Sequence, residues 1–105
     1  MTDLRYIAGN LSDEDILCQI SEEADELAKA ALKLRRAITG TNPTPVTIEK
    51  AVDDLFEEYG DTVVAFSAYL VKHNAIDRKG IDVLEQGNTK YSRWAQRIKE
   101  GKKHE

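Results

Sequence analysis

The sequence predicts an all-α protein, an antiparallel helical bundle completed by homo-oligomerisation. Three observations predict it. Apolar residues recur at three- and four-residue spacing through three long segments. No stretch alternates apolar and polar residues as a strand would. Both prolines, Pro43 and Pro45, fall in one short loop between the first two segments.

Ser12 followed by Asp13, Glu14 and Asp15 has the form of an N-cap with an acidic first turn. From there Ile16, Leu17, Ile20, Ala24, Leu27, Ala31, Leu34 and Ile38 mark a helix that ends at Gly40. After the proline loop, Thr44 or Thr47 caps a second helix running to about Lys72, with Ile48, Val52, Leu55, Tyr59, Phe66 and Leu70 as its stripe. Gly60 inside this helix costs up to ~1 kcal/mol relative to alanine, which calls for close packing at that turn. Asn74 to Asp77 reads as a short turn. The third helix then carries Ile81, Leu84, Gly87, Tyr91, Trp94, Ala95 and Ile98 on one face. Residues 1–11 fit either a short helix or an N-terminal arm, and 101–105 a frayed tail. The 105 residues together read as one domain, small enough that burying the remaining apolar faces favours a homodimer or a dimer of dimers.

Composition removes several classes of function. Charged residues make up 32% and apolar residues 41%, ordinary proportions for a folded globular chain. A net charge of −4 disfavours a nucleic-acid partner. No apolar run approaches the ~20 residues of a membrane span, so no membrane partner is expected. The segment from Met1 to Asp15 lacks the pattern of a secretory signal, and the lone Cys18 has no partner for an internal disulfide. A reducing cytoplasm is the expected compartment.

Two acidic clusters interrupt the apolar stripes: Glu22-Glu23-Ala24-Asp25-Glu26 and Glu57-Glu58-Tyr59-Gly60-Asp61. Residues three and four apart share a helix face, so Glu22, Glu23 and Glu26 project to one side of the first helix, and Glu58 and Asp61 to one side of the second. Glu58 falls in line with Ala51 and Ala65, facing the bundle, where a bare charge is costly unless paired or bound to metal. Ferritin-like di-iron chemistry relies on Glu-x-x-His on two helices. The two histidines here, His73 and His104, fall outside both clusters. All-oxygen ligation instead points to magnesium, with manganese as a substitute.

The pair of motifs, EExxE on one helix and ExxD on the next, resembles the MazG-like all-α nucleoside triphosphate pyrophosphohydrolases. The stretch Asn88-Thr89-Lys90-Tyr91-Ser92-Arg93 is similar to that family's late Asn-x-Lys-aromatic segment, so the likeness spans roughly residues 14 to 98. The interval between the two acidic motifs is longer than is usual for the family, which the proline loop and an extra turn around residues 45–54 account for. The resemblance implies magnesium-dependent cleavage between the α and β phosphates of a nucleoside triphosphate, giving monophosphate and pyrophosphate. It implies Glu23, Glu26, Glu58 and Asp61 as metal ligands, with Glu22 an additional acid.

In that scheme Glu22 or Glu26 orients the attacking water, and cations neutralise the leaving pyrophosphate. Lys33 lies one heptad after Glu26 on the same face, placed either for a triphosphate tail or to balance the acids. Asn88 falls between Ile81 and Ala95 on the apolar face, where an unpaired amide costs roughly 1–3 kcal/mol, and the resemblance assigns it to the site. Lys90 and Arg93 lie off that face, within reach of phosphates from the rim or from a second subunit. There is no Gly-x-x-x-x-Gly-Lys-Ser/Thr loop to bind phosphate in its place. The alternative is a non-catalytic helical interaction module whose acids bind metal for stability or not at all.

Overall fold

In the computed structural model, residues 2–43, 45–73 and 76–101 are described. Among them are four helices and no strand: α1 (Thr2–Asn10), α2 (Asp13–Thr39), α3 (Ile48–Lys72) and α4 (Ile76–Lys99). The chain is all-α. Residues 1–11, open between helix and arm from sequence, hold α1. No helix among the described residues is long and apolar enough to cross a membrane. The chain divides into two compact units, residues 1–73 and residues 74–105.

In the first unit α2 starts where the sequence places it. The Ser12 side chain accepts a hydrogen bond from the Asp15 backbone N–H at 3.1 Å, and the acidic first turn complements the exposed N–H groups of the helix end. The helix stops at Gly40, whose φ of 72° is left-handed and favours glycine. Thr47 caps α3 by accepting from the Lys50 N–H at 3.1 Å. Thr44, the other candidate cap, lies outside the described residues.

α2 and α3 pack antiparallel along most of their length, and α1 packs on α3. Polar contacts mark the register: Asp13 meets His73, Glu23 meets Thr62, and Lys33 meets Asp54. The core between the helices is thin. Its buried apolar residues are Ala8, Ile16, Ala30, Ala51, Ala65 and Ala68, so alanines let the backbones come close. Many large apolar side chains stay outside it. Gly60 has open space where a Cβ would stand, so the close packing expected at that turn is not found among the described residues.

The second unit contains α4, which begins at Ile76 and therefore takes in part of the turn expected at residues 74–77. Asn74, Ala75, the side chains of 76–85 and residues 102–105 lie outside the described set. Along its described part, Tyr91, Trp94 and Ile98 recur at helical spacing and are exposed.

Candidate metal centre

The two acidic motifs meet because α2 and α3 run antiparallel with residue 23 level with residues 58–62. Glu23, Glu58 and Asp61 each offer one carboxylate oxygen, and the three oxygens lie within 4.8 Å of one another. Glu23 and Glu58 are half-buried, and Asp61 is exposed. Glu58 and Asp61 converge because they stand three residues apart on one helix.

Neighbouring polar groups hold this arrangement. Gln19, one turn before Glu23, donates from Nε2 to Glu23 Oε1 at 2.8 Å. The Thr62 hydroxyl lies 3.2 Å from the Glu23 carbonyl oxygen and 2.9 Å from that of Glu58, so its proton is shared between the two helices. Neither Gln19 nor Thr62 stands out in the acidic motifs. Each lies one turn from a site carboxylate, and that i,i+4 relation is the sequence signal that finds them.

These three acids stand together without a cation. Four other carboxylates of the first unit do sit on cations: Asp25 and Glu26 on Lys29, Asp54 on Lys33 and Lys50, and Asp13 on His73 and Lys72. Hydrogen bonding from Lys50, joined by Lys33, holds the Asp54 carboxyl below the usual range against its partial desolvation. Among the described residues, no lysine, arginine or histidine nitrogen lies within salt-bridge distance of Glu23, Glu58 or Asp61. Desolvation pushes the Glu58 carboxyl above its usual value, and the charges of Asp61, Glu26, Glu23 and Glu57 push it further. Three acids brought together without a counter-cation form a donor set suited to a hard divalent ion.

The remaining predicted residues fall in different places. Glu26 acts on Glu58 through its charge but stands outside the convergent trio, exposed, with its carboxylate 3.7 Å from Lys29. Glu22 is exposed, about 100° around α2 from Glu23, with its carboxylate 3.9 Å from the Cys18 sulfur. Lys33 lies about 15 Å further along α2 than Glu23. Its Nζ is 3.3 Å from Asp54, which makes it a strut between α2 and α3. Asn88, Lys90 and Arg93 belong to the second unit and are exposed there. The burial cost anticipated for the Asn88 amide therefore does not arise among the described residues.

Beside the trio opens a cleft of about 530 Å³ between α1 and the α2–α3 pair. Glu23, Gln19 and Asp61 form its polar end. Leu4 and Ile7 from α1, Ile16 from α2, and Val64 and Ala68 from α3 are among its apolar lining. Such a space accepts a ligand with a charged end and an apolar body. No protein-family model matches the chain, and neither a curated protein nor a solved structure matches it.

Proposed function

We propose that the protein is a magnesium-dependent nucleoside triphosphate pyrophosphohydrolase of MazG-like type, cleaving the α–β phosphate bond to give nucleoside monophosphate and pyrophosphate. The observation that carries this reading is the convergence of Glu23, Glu58 and Asp61, unneutralised, with Glu23 and Asp61 also at the polar end of an apolar cleft. Glu23, Glu58 and Asp61 would hold magnesium, or manganese in its place, with Glu26 at the edge of the set. The ion supplies charge neutralisation at phosphate oxygens and a more acidic bound water. The chain's own contributions are distinct from it. Glu22 and Glu26 are the acids that orient water. By the resemblance, Lys33, Asn88, Lys90 and Arg93 would be the phosphate contacts, although Lys33 is ion-paired with Asp54. The cleft between α1 and α3 takes the apolar part of the nucleotide. The same reading places the protein in the cytoplasm as a homodimer or dimer of dimers.

The test is a panel of canonical and modified nucleoside triphosphates incubated with purified protein and magnesium. Pyrophosphate and monophosphate are expected from at least one of them, with loss of activity in chelator. Orthophosphate as the direct product, or full activity in chelator, would sink the proposal. A second reading, a non-catalytic helical interaction module, is favoured by one observation, the amount of apolar side chain left outside the core. It predicts no turnover across the panel.

A further inference from the structure

The end of α1 and the start of α2 are gripped from α3. The N–H of Leu11 donates to the Ile7 carbonyl at 3.1 Å, and the chain then turns at Ser12, in extended backbone, before α2 begins. The last turn of α1 has no basic residue of its own to meet its free carbonyls. Lys72, at the end of α3, supplies that cation: its ε-ammonium donates to the Leu11 carbonyl. The same nitrogen lies 3.9 Å from the Asp13 carboxylate, which the His73 ring also meets at 2.8 Å. Lys72 therefore holds the residues on both sides of Ser12.

Beyond this grip α1 is lightly held. Among the described residues it packs on α3 and not on α2, and Ala8 is its one buried residue. A helix of nine residues is marginal by itself. Its Leu4 and Ile7 face the cleft, and Ile7 is 40% exposed. Space of about 530 Å³ thus stands beneath α1 where a packed core would leave none.

We propose that α1 is a lid over this cleft, hinged at Ser12, and that Lys72 is the positioning residue whose grip on Leu11 and Asp13 sets the lid's angle. The cleft wall that α1 forms is the one not built on the α2–α3 hairpin. Few buried apolar contacts resist its movement, so it opens locally while the hairpin stays folded. Leu4 lies about 12 Å from the hinge along the helix and moves far, whereas Leu11 stays under the clamp. Swinging out admits a ligand, and swinging back covers the ligand's apolar body. This holds for whatever the cleft binds and does not rest on the hydrolase reading.

The experiment is segment-resolved hydrogen exchange of the full chain, without metal or nucleotide, for wild type, Lys72→Met and Lys72→Arg. In wild type the amides of residues 6–10 are expected to exchange together, at least about tenfold faster than those in the middle of α2 and α3. Lys72→Met removes a charge-assisted bond at the hinge and should speed α1 by about tenfold more, with the hairpin unchanged. Lys72→Arg keeps a cation and should restore most of the protection. The cleft gives a second readout. Ala68 is buried on its floor, and Cys18 is the chain's one cysteine, so Ala68→Cys with Cys18→Ala places a single thiol beneath the lid. Its reaction with a bulky aromatic disulfide should also accelerate about tenfold when Lys72→Met is added. The exchange data decide by themselves if the thiol variant does not fold. An α1 that exchanges no faster than the hairpin overturns the proposal. So does Lys72→Met that leaves α1 unchanged, or that loosens α2 and α3 as much as α1, since the lysine then supports the whole fold. A lid found without pyrophosphate release keeps this inference and removes the hydrolase reading, whereas an active enzyme with a rigid α1 does the reverse.

Discussion

The hydroxyl of Thr62 on α3 lies 3.2 Å from the backbone carbonyl oxygen of Glu23 on α2, within hydrogen-bond distance. This contact joins the two helices at the level where the carboxylates converge. It also supplies a donor to a carbonyl next to a half-buried acid. Thr62→Val keeps the shape of the side chain and removes the donor. A loss of about 1 kcal/mol in unfolding free energy is expected, the usual worth of one such bond. If the bond sets the register, magnesium-induced stabilisation falls as well. Urea unfolding with and without magnesium reads both, and an unchanged magnesium response would separate the bond from the site.

Glu58→Gln removes one charge from the trio and nearly keeps its shape. Desolvation and four neighbouring carboxylates oppose ionisation of Glu58, so the metal-free variant is expected to melt above the wild type. Wild type should gain stability with magnesium by mass action, and the variant should lose most of that gain together with any pyrophosphate release. Thermal melts in chelator and in magnesium check this. Equal magnesium responses in the two proteins would leave the metal site without support.

The same residue sets a pH dependence. With its carboxyl raised above the ordinary value of 4.5, folded Glu58 holds a proton at pH values where the unfolded chain has lost it. Its contribution to stability therefore improves as pH falls from neutral through the raised folded value, and levels off below 4.5. Asp54, held below the usual range, has the opposite sign, losing stability as pH falls through its depressed value. Comparing wild type with Glu58→Gln isolates the first effect. In chelator, the gap in melting temperature between them should be widest at neutral pH and should close on acidification. A gap independent of pH would show that charge on Glu58 is not its cause.

Lys33 distinguishes a strut from a substrate contact. It bridges to Asp54 across the helix pair, about 15 Å along α2 from Glu23. Lys33→Met is expected to lower stability by at most about 1 kcal/mol, the usual limit for a partly exposed pair. KM for any nucleoside triphosphate hydrolysed should stay within about twofold, because a lost phosphate contact costs more than that. Steady-state kinetics beside a denaturation curve separates the two roles, and a large rise in KM with stability intact would return Lys33 to the phosphates.

Helix identity and helix ends in this protein were local properties, legible in the order of residues. Ser12, Thr47 and Gly40 each act within one turn of themselves, through a hydroxyl that caps a free N–H or through a backbone that tolerates positive φ. The spacing of Glu58 and Asp61 is likewise local, since a helix brings residues three apart to one face. Sequence could not rank the acids. Glu22, Glu23 and Glu26 share a motif, yet only Glu23 joins the trio, because the rotation of α2 against α3 turns it inward and leaves Glu26 to Lys29. Gln19 and Thr62 became site residues for the same reason. Pairings across many residues, Thr62 with Glu23 and Lys33 with Asp54, depend on the register of one helix on another. Alanines close that gap, and the sum of many weak packing contacts, not any single motif, sets the register.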